Sequence, residues 1–479
     1  MSATIFALSS GAPPAAIAVV RVSGPRAGHA LAALAGRTSE PRRATLRSLR
    51  DPATGDLLDR ALLLWFPGPA SATGEDLAEL HLHGGRAVVR AVLDALRTMP
   101  ELRDAEPGEF TRRAWENGAL DLSEAEGLAD LLEAETDRQR RHALRAADGA
   151  LGRLVAEWRE RLTHAAALIE AELDHADEED AGGAGEGARP ILAVLAVEID
   201  RALANPPAER LRQGLRVVLA GPPNSGKSTL LNALAGRDVA ITSPIPGTTR
   251  DLVSTPVALE GIALELTDTA GLRDSEDEIE RIGVARAREA LEGADLILWL
   301  GNPADAPAGQ VVLIAAKSDL LTNPLMPGEA CPEPVEMVET CAPAPLDFAR
   351  DERTIERSAI VRPEWKPCPE RSRRGGAQPQ TAPLPVSALT GQGLPELRAA
   401  IRARADALLG REDEILFNAR QRSRLAAARD ELACALASPD LLIQAEQLRA
   451  ARRQLSALTG HEEVEEMLDA LFGRFCIGK

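Results

Sequence analysis

The chain has 479 residues, 45% hydrophobic and 27% charged, with a formal net charge of −18, which is too long for one ordinary core and predicts about two to four soluble domains. The acidic sum argues against a protein that holds nucleic acid by bulk charge, although it says little of local basic faces. No run of about 18 apolar residues occurs, and Pro13 and Pro14 interrupt an N-terminus without a basic start, so neither a membrane-spanning helix nor a secretory signal is expected. Five scattered cysteines point to a reducing compartment, with cytoplasm the default, and away from a disulfide framework or zinc site. Only four lysines occur, Lys227, Lys317, Lys366 and Lys479, every other cation being arginine. Where bulk surface charge suffices this chain uses Arg, so the few lysines invite a chemical reason.

Residues 1–118 read as a small α/β unit, with strands at IAVVRVSG and RALLLWFPG and helical spacing in RAVVRAVLDALRTM. From Leu122 the apolar period becomes helical and runs to about residue 173, with Ser123 and Glu126 at capping-box spacing. DEEDAGGAGEGA (177–188) reads as a loop and PILAVLAVEIDRALA as the next helix. At RVVLAG (216–221) the pattern switches to strand–loop–helix alternation, with buried strands at LELTDTAG, DLILWL, VVLIAAKSD and PLPVSA. That is the signature of a doubly wound parallel sheet. After about residue 408 the chain is helical again, in ARQRSRLAAARDELACALA, LLIQAEQLRAARRQLSAL and EEVEEMLDALFGRF. The economical organisation is 119–211 and 409–479 forming one helical domain, with an α/β domain at 212–408 inserted into it. Residues 320–383, rich in Pro, Arg and Glu and without periodicity, are expected to be a disordered insertion. Within them CPERSRRGG reads better as a solvated charge run than as a nucleic-acid contact.

GPPNSGKST (221–229) fits the phosphate-binding pattern G-x-x-x-x-G-K-[ST] between a strand and a helix, the context this motif requires. Asn224, Ser225, Gly226, Lys227, Ser228 and Thr229 would wrap phosphate oxygens at a helix N-terminus. Lys227 would reach the β- and γ-phosphates and Ser228 would ligate Mg²⁺. Downstream partners stand in order. PGTTRD supplies Thr249 for Mg²⁺ and the γ-phosphate. DTAG supplies Asp268, Thr269, Ala270 and Gly271, the first near the metal and the last as an N–H donor. AKSD places Lys317 and Asp319 to read guanine, and Ser387, Ala388 and Leu389 can close over the base. An adenine-binding relative would have no use for the last two groups, so GTP is the expected nucleotide. Ala316 stands where asparagine is usual, and Leu272 where a water-orienting glutamine would stand. Weakened nucleotide binding and a water-orienting group from elsewhere are therefore expected, with the acidic run DSEDEIERIG directly downstream.

The chain ends FCIGK. A prenylation reading of Cys476 fails because Lys479 is not an accepted last residue. A small buried thiol closing an amphipathic helix is the simplest alternative.

VVRVSG, WFPGPASATGEDLAELHLHGG, PGEFTRRAWENGALDLSEAE, the GTPase motifs, DEIERIG and the terminal FCIGK together resemble the MnmE (TrmE) family of tRNA-modifying GTPases across nearly the whole chain. The resemblance implies an N-terminal folate-binding and dimerising domain, a helical domain built from both sides of a G domain, and K⁺-dependent G-domain dimerisation without an arginine finger. By motif, Asn224 with Ser243, Ile245 and Thr248 would hold K⁺, Ser243 and Thr248 also lying against GTP. Glu280 would position water, and Arg250 matches the switch arginine. Arg21, Glu79 and the position of Ala119, often lysine in the family, would face a 5-formyl- or methylene-tetrahydrofolate. The implied partners are a second copy, an MnmG-type flavoprotein and tRNA, with no membrane. The implied chemistry is addition of an aminomethyl-type group at C5 of the wobble uridine, with Cys476 taking part. The connection GNPADAPAGQ is shorter than the family's usual helical crossover. Two other readings stay open: a nucleotide-binding scaffold with impaired turnover, and a ribosome-assembly GTPase. The latter is disfavoured because no recognisable RNA-binding module follows SALTG.

Overall fold

The computed structural model describes residues 3–37, 39–174, 184–236, 254–269, 288–320 and 382–460, and residues 468, 471–473, 475 and 478 near the C-terminus. In the first unit, strands β1 (Thr4–Leu8), β2 (Ile17–Ser23), β3 (Thr45–Arg50), β4 (Leu57–Phe66), β5 (Leu77–His83) and β6 (Leu102–Asp104) form one sheet in the order β3-β4-β5-β2-β1-β6. All pairs are antiparallel except β1 with β6. Alternation fixes its faces. Ala18, Val20 and Val22 of β2 and Ala78, Leu80 and Leu82 of β5 point into a core closed by α1 (Ala27–Ala35) and α2 (Arg86–Arg97). The outward residues, among them Val19, Arg21, Glu79 and His81, share the opposite face. There Leu46 pairs with Leu62 and Leu62 with His81, and Leu46 is 67% exposed. Part of that face is covered where Phe110 of α3 (Glu109–Glu116) packs with Ile5, Ala7 and Leu77.

The long helical period from Leu122 breaks into α4 (Leu122–Glu133), α5 (Asp137–Ala147) and α6 (Ala150–Asp174). Two local signals make the breaks. Thr136 and Gln139 form a new capping box, and Gly149 turns the chain at φ 75°. The expected Ser123–Glu126 cap does not form; Asp121 and Glu124 cap α4 reciprocally instead. Glu126 is engaged by Arg420 and Gln421. The expected loop 177–188 is also corrected at its end, since α7 (Ala184–Ala204) begins inside it. Helices α6 and α7 share one core with α11 (Ala419–Ala437) and α12 (Leu441–Leu458), so segments on either side of the α/β unit build one bundle.

Between them α8 (Ala208–Gln213) leads into β7 (Leu215–Ala220), α9 (Lys227–Ala235), β8 (Ser254–Leu259), β9 (Ile262–Asp268), β10 (Leu296–Trp299), β11 (Val311–Ala316), β12 (Leu384–Val386) and α10 (Leu394–Leu409). The sheet order is β12-β11-β10-β7-β9-β8. It is parallel except for β8, which forms an antiparallel hairpin with β9, so the expected all-parallel sheet is mixed at one edge. Only a single 3₁₀ turn, Pro303–Asp305, separates β10 from β11.

His142 of α5 lies largely buried beside a cleft between α4, α5 and the segment 414–418. Burial, then repulsion from Arg145 and Arg138, pushes its pKa down to about 4. Between its ordinary value near 6.5 and about 4, the unfolded chain binds a proton that the folded chain refuses. Stability is therefore lost as pH falls through that window, by at most about 3 kcal/mol. In urea unfolding at pH 7 and pH 4.5, His142→Gln is expected to lose less stability than the wild type on acidification; equal losses would refute this.

Candidate functional site

The loop 221–226 joins β7 to α9 through left-handed backbone at Asn224 (φ 60°) and Gly226 (φ 97°). Glycine adopts this conformation without strain and asparagine tolerates it. At Gly221, at φ 150°, a Cβ would stand 3.0 Å from the Leu300 carbonyl, so a side chain there would strain the loop where it passes close to β10. Lys227 opens α9 and is 5% exposed. Its Nζ donates to the carbonyls of Gly221 at 3.1 Å and Pro222 at 2.8 Å, which holds the ammonium across the loop. Ser228 Oγ donates to Asp268 Oδ2 at 2.5 Å. Asp268 ends β9 and is 6% exposed. Thr269 Oγ1 donates to the Leu219 carbonyl, tying the end of β9 back to β7. The Ser225 hydroxyl is buried without a hydrogen-bond partner.

A cleft of about 110 Å³ runs from this loop along the sheet edge, lined by Gly226, Thr229, Ala316, Lys317, Asp319 and Ser387–Leu389 among others. Lys317, at φ 60°, reaches back so that its Nζ donates to the Asn224 carbonyl at 2.8 Å, joining base-side and phosphate-side walls. Ser387 is fully buried and its Oγ accepts from the Thr390 amide, while Leu389 at the rim is 82% exposed. Gly393 pins this turn, since a Cβ there would stand 2.0 Å from the Pro385 carbonyl oxygen.

Curled backbone at a helix N-terminus, a buried cation and an orphaned hydroxyl fit phosphate. The Ser228 and Asp268 oxygens are the hard donors Mg²⁺ takes, directly or through water. Sequence reasoning had no means of seeing the Lys317–Asn224 tie, which spans 93 residues. Ser243, Ile245, Thr248, Thr249, Arg250, Ala270, Gly271, Leu272, Glu280 and Cys476 lie outside the described residues.

In the first unit Arg21 and Glu79 are cross-strand partners on β2 and β5. Arg21 Nε donates to Glu79 Oε1 at 2.9 Å, and His81 Nε2 lies 3.2 Å from Glu79 Oε2. Ala119 is exposed, yet its segment is tied to the same strand through a short relay. Asn117 Nδ2 donates to the Thr73 carbonyl, and the Thr73 and Ser23 hydroxyls are hydrogen-bonded at 2.7 Å. Glu75 accepts from Ser23 and from buried Arg113. Residue types alone had not singled out Ser23, Thr73, Glu75, His81 or Arg113; HLHGG was the one local hint. The C-terminal flanks approach this unit too. A Cβ at Gly108 would stand 2.1 Å from the Phe472 carbonyl oxygen, and one at Gly478 2.1 Å from the Leu8 carbonyl oxygen. Leu8 pairs with Val20, the neighbour of Arg21.

Residues 4–119 match the family described as GTP-binding protein TrmE N-terminus, and residues 122–476 match the MnmE helical domain. A protein of Novosphingobium aromaticivorans called tRNA modification GTPase MnmE is 49% identical over 491 aligned residues, covering 100% of both chains. One of the same description from Rhizorhabdus wittichii is 50% identical over 481, covering 100% of this chain and 97% of the relative. A third, from Zymomonas mobilis, is 46% identical over 488. Full-length similarity at this level, joined to a P-loop cleft built for a magnesium nucleotide, makes the chain a GTPase and a member of the MnmE (TrmE) family of tRNA modification GTPases.

Proposed function

We propose that this chain is a GTP-hydrolysing homodimer that modifies tRNA with an MnmG-type flavoprotein, adding a carboxymethylaminomethyl or aminomethyl group at C5 of the wobble uridine. The observation that carries the reading is the coexistence, in one chain, of the nucleotide cleft and a second polar site at Arg21–Glu79 on the half-open sheet face. That face carries exposed Leu46, Leu62 and Ile17, the kind of apolar surface that a second copy buries. We assign 1–118 to folate binding and dimerisation, 119–211 with 409–479 to the helical domain, and 212–408 to the G domain, in a cytoplasmic protein.

In hydrolysis the loop amides orient the phosphates, while Lys227 offsets charge developing on the transferred phosphoryl group. Leu272 has no polar atom with which to orient water, so Glu280 takes that role. Asn224 with Ser243, Ile245 and Thr248 would hold K⁺, which would supply the positive charge that an arginine finger gives elsewhere. Arg250 and Thr249 belong to the same switch loop. A tetrahydrofolate derivative, 5-formyl or methylene, would supply the one-carbon unit when bound. Arg21 and Glu79 would anchor it with one cation and one anion, and Ala119 offers no charge to it. Cys476 would bring a thiol to this chemistry, Phe472 and Gly478 on either side of it lying against the first unit.

Wobble-uridine analysis in a strain lacking the modification and carrying this chain tests the whole reading; an unmodified uridine would sink it. Turnover is expected to rise in KCl over NaCl, and Glu280→Ala to bind GTP but scarcely hydrolyse it. Equal turnover in both salts would remove the K⁺ mechanism. Ala316 and the single turn between β10 and β11 favour one rival, a nucleotide-binding scaffold with impaired turnover. Affinity and turnover measured with and without residues 320–383 separate the two.

A further inference from the structure

Two connectors join the nucleotide-binding sheet to the helical bundle, and one short helix holds both. The first is α8, which runs into β7 and so into the loop 221–226; the second, 410–418, leads from α10 into α11. Their far ends lie on opposite walls of the nucleotide cleft, because α10 begins just beyond Ser387–Leu389. From α5, Arg138 reaches the second connector. Its guanidinium, 7% exposed, donates to Asp406 Oδ1 at 2.6 Å and to the Gly410 carbonyl at 2.5 Å. Gln139 reaches the first, its Nε2 donating to the Leu211 and Arg212 carbonyls at 3.1 and 3.0 Å. Arg145 adds a bond to the Glu412 carbonyl. Helix α5 also packs against β9, the strand that ends in Asp268.

We propose that the α4–α5 hairpin carries the nucleotide state of the G domain into the helical bundle and the C-terminal segment, with Arg138 and Gln139 as its positioning residues. The hairpin moves as one body. At Gly127 the two helices approach so closely that a Cβ would stand 2.4 Å from the Ala147 amide nitrogen. Its other side is tied outward: Glu126 accepts from Arg420 and Gln421 of α11, and Leu122, Ala125 and Ala129 pack with Phe472 and Phe475. Towards the connectors, by contrast, the hairpin is held by polar bonds beside solvent-open clefts. A joint held mainly by a few directional bonds can re-orient without repacking a large core. Any change in separation of the cleft walls would pull on both connectors, and α5 is gripped by both.

Gln139→Glu in the full-length chain isolates the tie from the fold. Gln139 Oε1 also accepts from Thr136 N as the α5 cap, and glutamate keeps that acceptor while losing both donors. Arg138→Ala is the second variant. Hydrogen exchange of α4–α5 amides is compared with GDP and with a non-hydrolysable GTP analogue, each with Mg²⁺, after nucleotide titration. In the wild type, protection is expected to differ about fivefold or more between the two states. Both variants should bind nucleotide with unchanged helix content yet lose that difference. Identical wild-type protection in the two states, or a difference that survives in both variants, would overturn the relay. The proposal rests on the GTP site, and a wild-type chain that bound neither nucleotide would remove both ideas, the titration telling that case apart.

Discussion

Lys227→Ala is expected to lower GTP turnover by about a hundred- to a thousandfold, the usual cost of deleting one preorganised donor to developing charge. Lys227 sits at the first position of α9, where helix N–H groups already favour an anion. A buried ammonium in such a field is suited to meet an anion at the helix N-terminus. In the structure two loop carbonyls, Gly221 and Pro222, hold its Nζ in place. Both acceptors belong to the loop itself, so the ammonium is positioned by the backbone that would wrap the phosphates. Lys227→Arg is a sharper control, because a planar fork replaces a compact point charge of different reach and geometry. Arg is this chain's ordinary cation, and it is expected to fail here too. Single-turnover hydrolysis with radiolabelled GTP separates the loss of chemistry from weaker binding. If Lys227→Arg hydrolysed at the wild-type rate, the assignment of Nζ to the phosphoryl group would fall.

How much of this could be read from the chain depends on whether the physics was local. The phosphate loop was legible because its strand, glycines, lysine and helix stand within fifteen consecutive residues, 215–229. Alternation in IAVVRVSG likewise anticipated β2. The capping of α4 was misread although its residues are adjacent. DLSEAE contains two overlapping boxes, Asp121 with Glu124 and Ser123 with Glu126. The structure uses the first because Ser123 Oγ donates to Asp121 Oδ1 at 2.6 Å and Glu126 is drawn away by Arg420, 294 residues distant. Continuous apolar spacing likewise hid the breaks after α4 and α5, since a cap or one left-handed glycine ends a helix without disturbing hydrophobic period. Arg21 and Glu79 became partners only through the register of β2 on β5. Arg138 met Asp406 across 268 residues, and nothing around DRQRRH distinguishes a domain tie from a solvated charge run.

Ala316→Asn is expected to tighten GTP and GDP binding about ten- to a hundredfold, corresponding to about 1–3 kcal/mol for a restored buried hydrogen bond. The position ends β11, pairs with Val386 of β12, and lines the cleft between Lys317 and the Ser387–Leu389 turn. A methyl group there closes the wall but offers no donor or acceptor to a polar base edge. The carboxamide supplies two donors and one acceptor, and Ala316 is half-buried beside open cleft, so the larger side chain need not be forced into a packed core. Lys317 adopts φ 60° and anchors to Asn224, so the backbone that would carry the new amide is already held. Asp319 is untouched by the substitution and, on the proposed reading, would carry discrimination against adenine through the guanine N1 and N2 groups. Preference for GTP over ATP should therefore change little while affinity rises. Titration of a fluorescent GDP analogue, with unlabelled GTP and ATP as competitors, reads both quantities. An unchanged GDP affinity would mean that the alanine is compensated elsewhere in the cleft, and would remove the argument that this chain binds its nucleotide weakly.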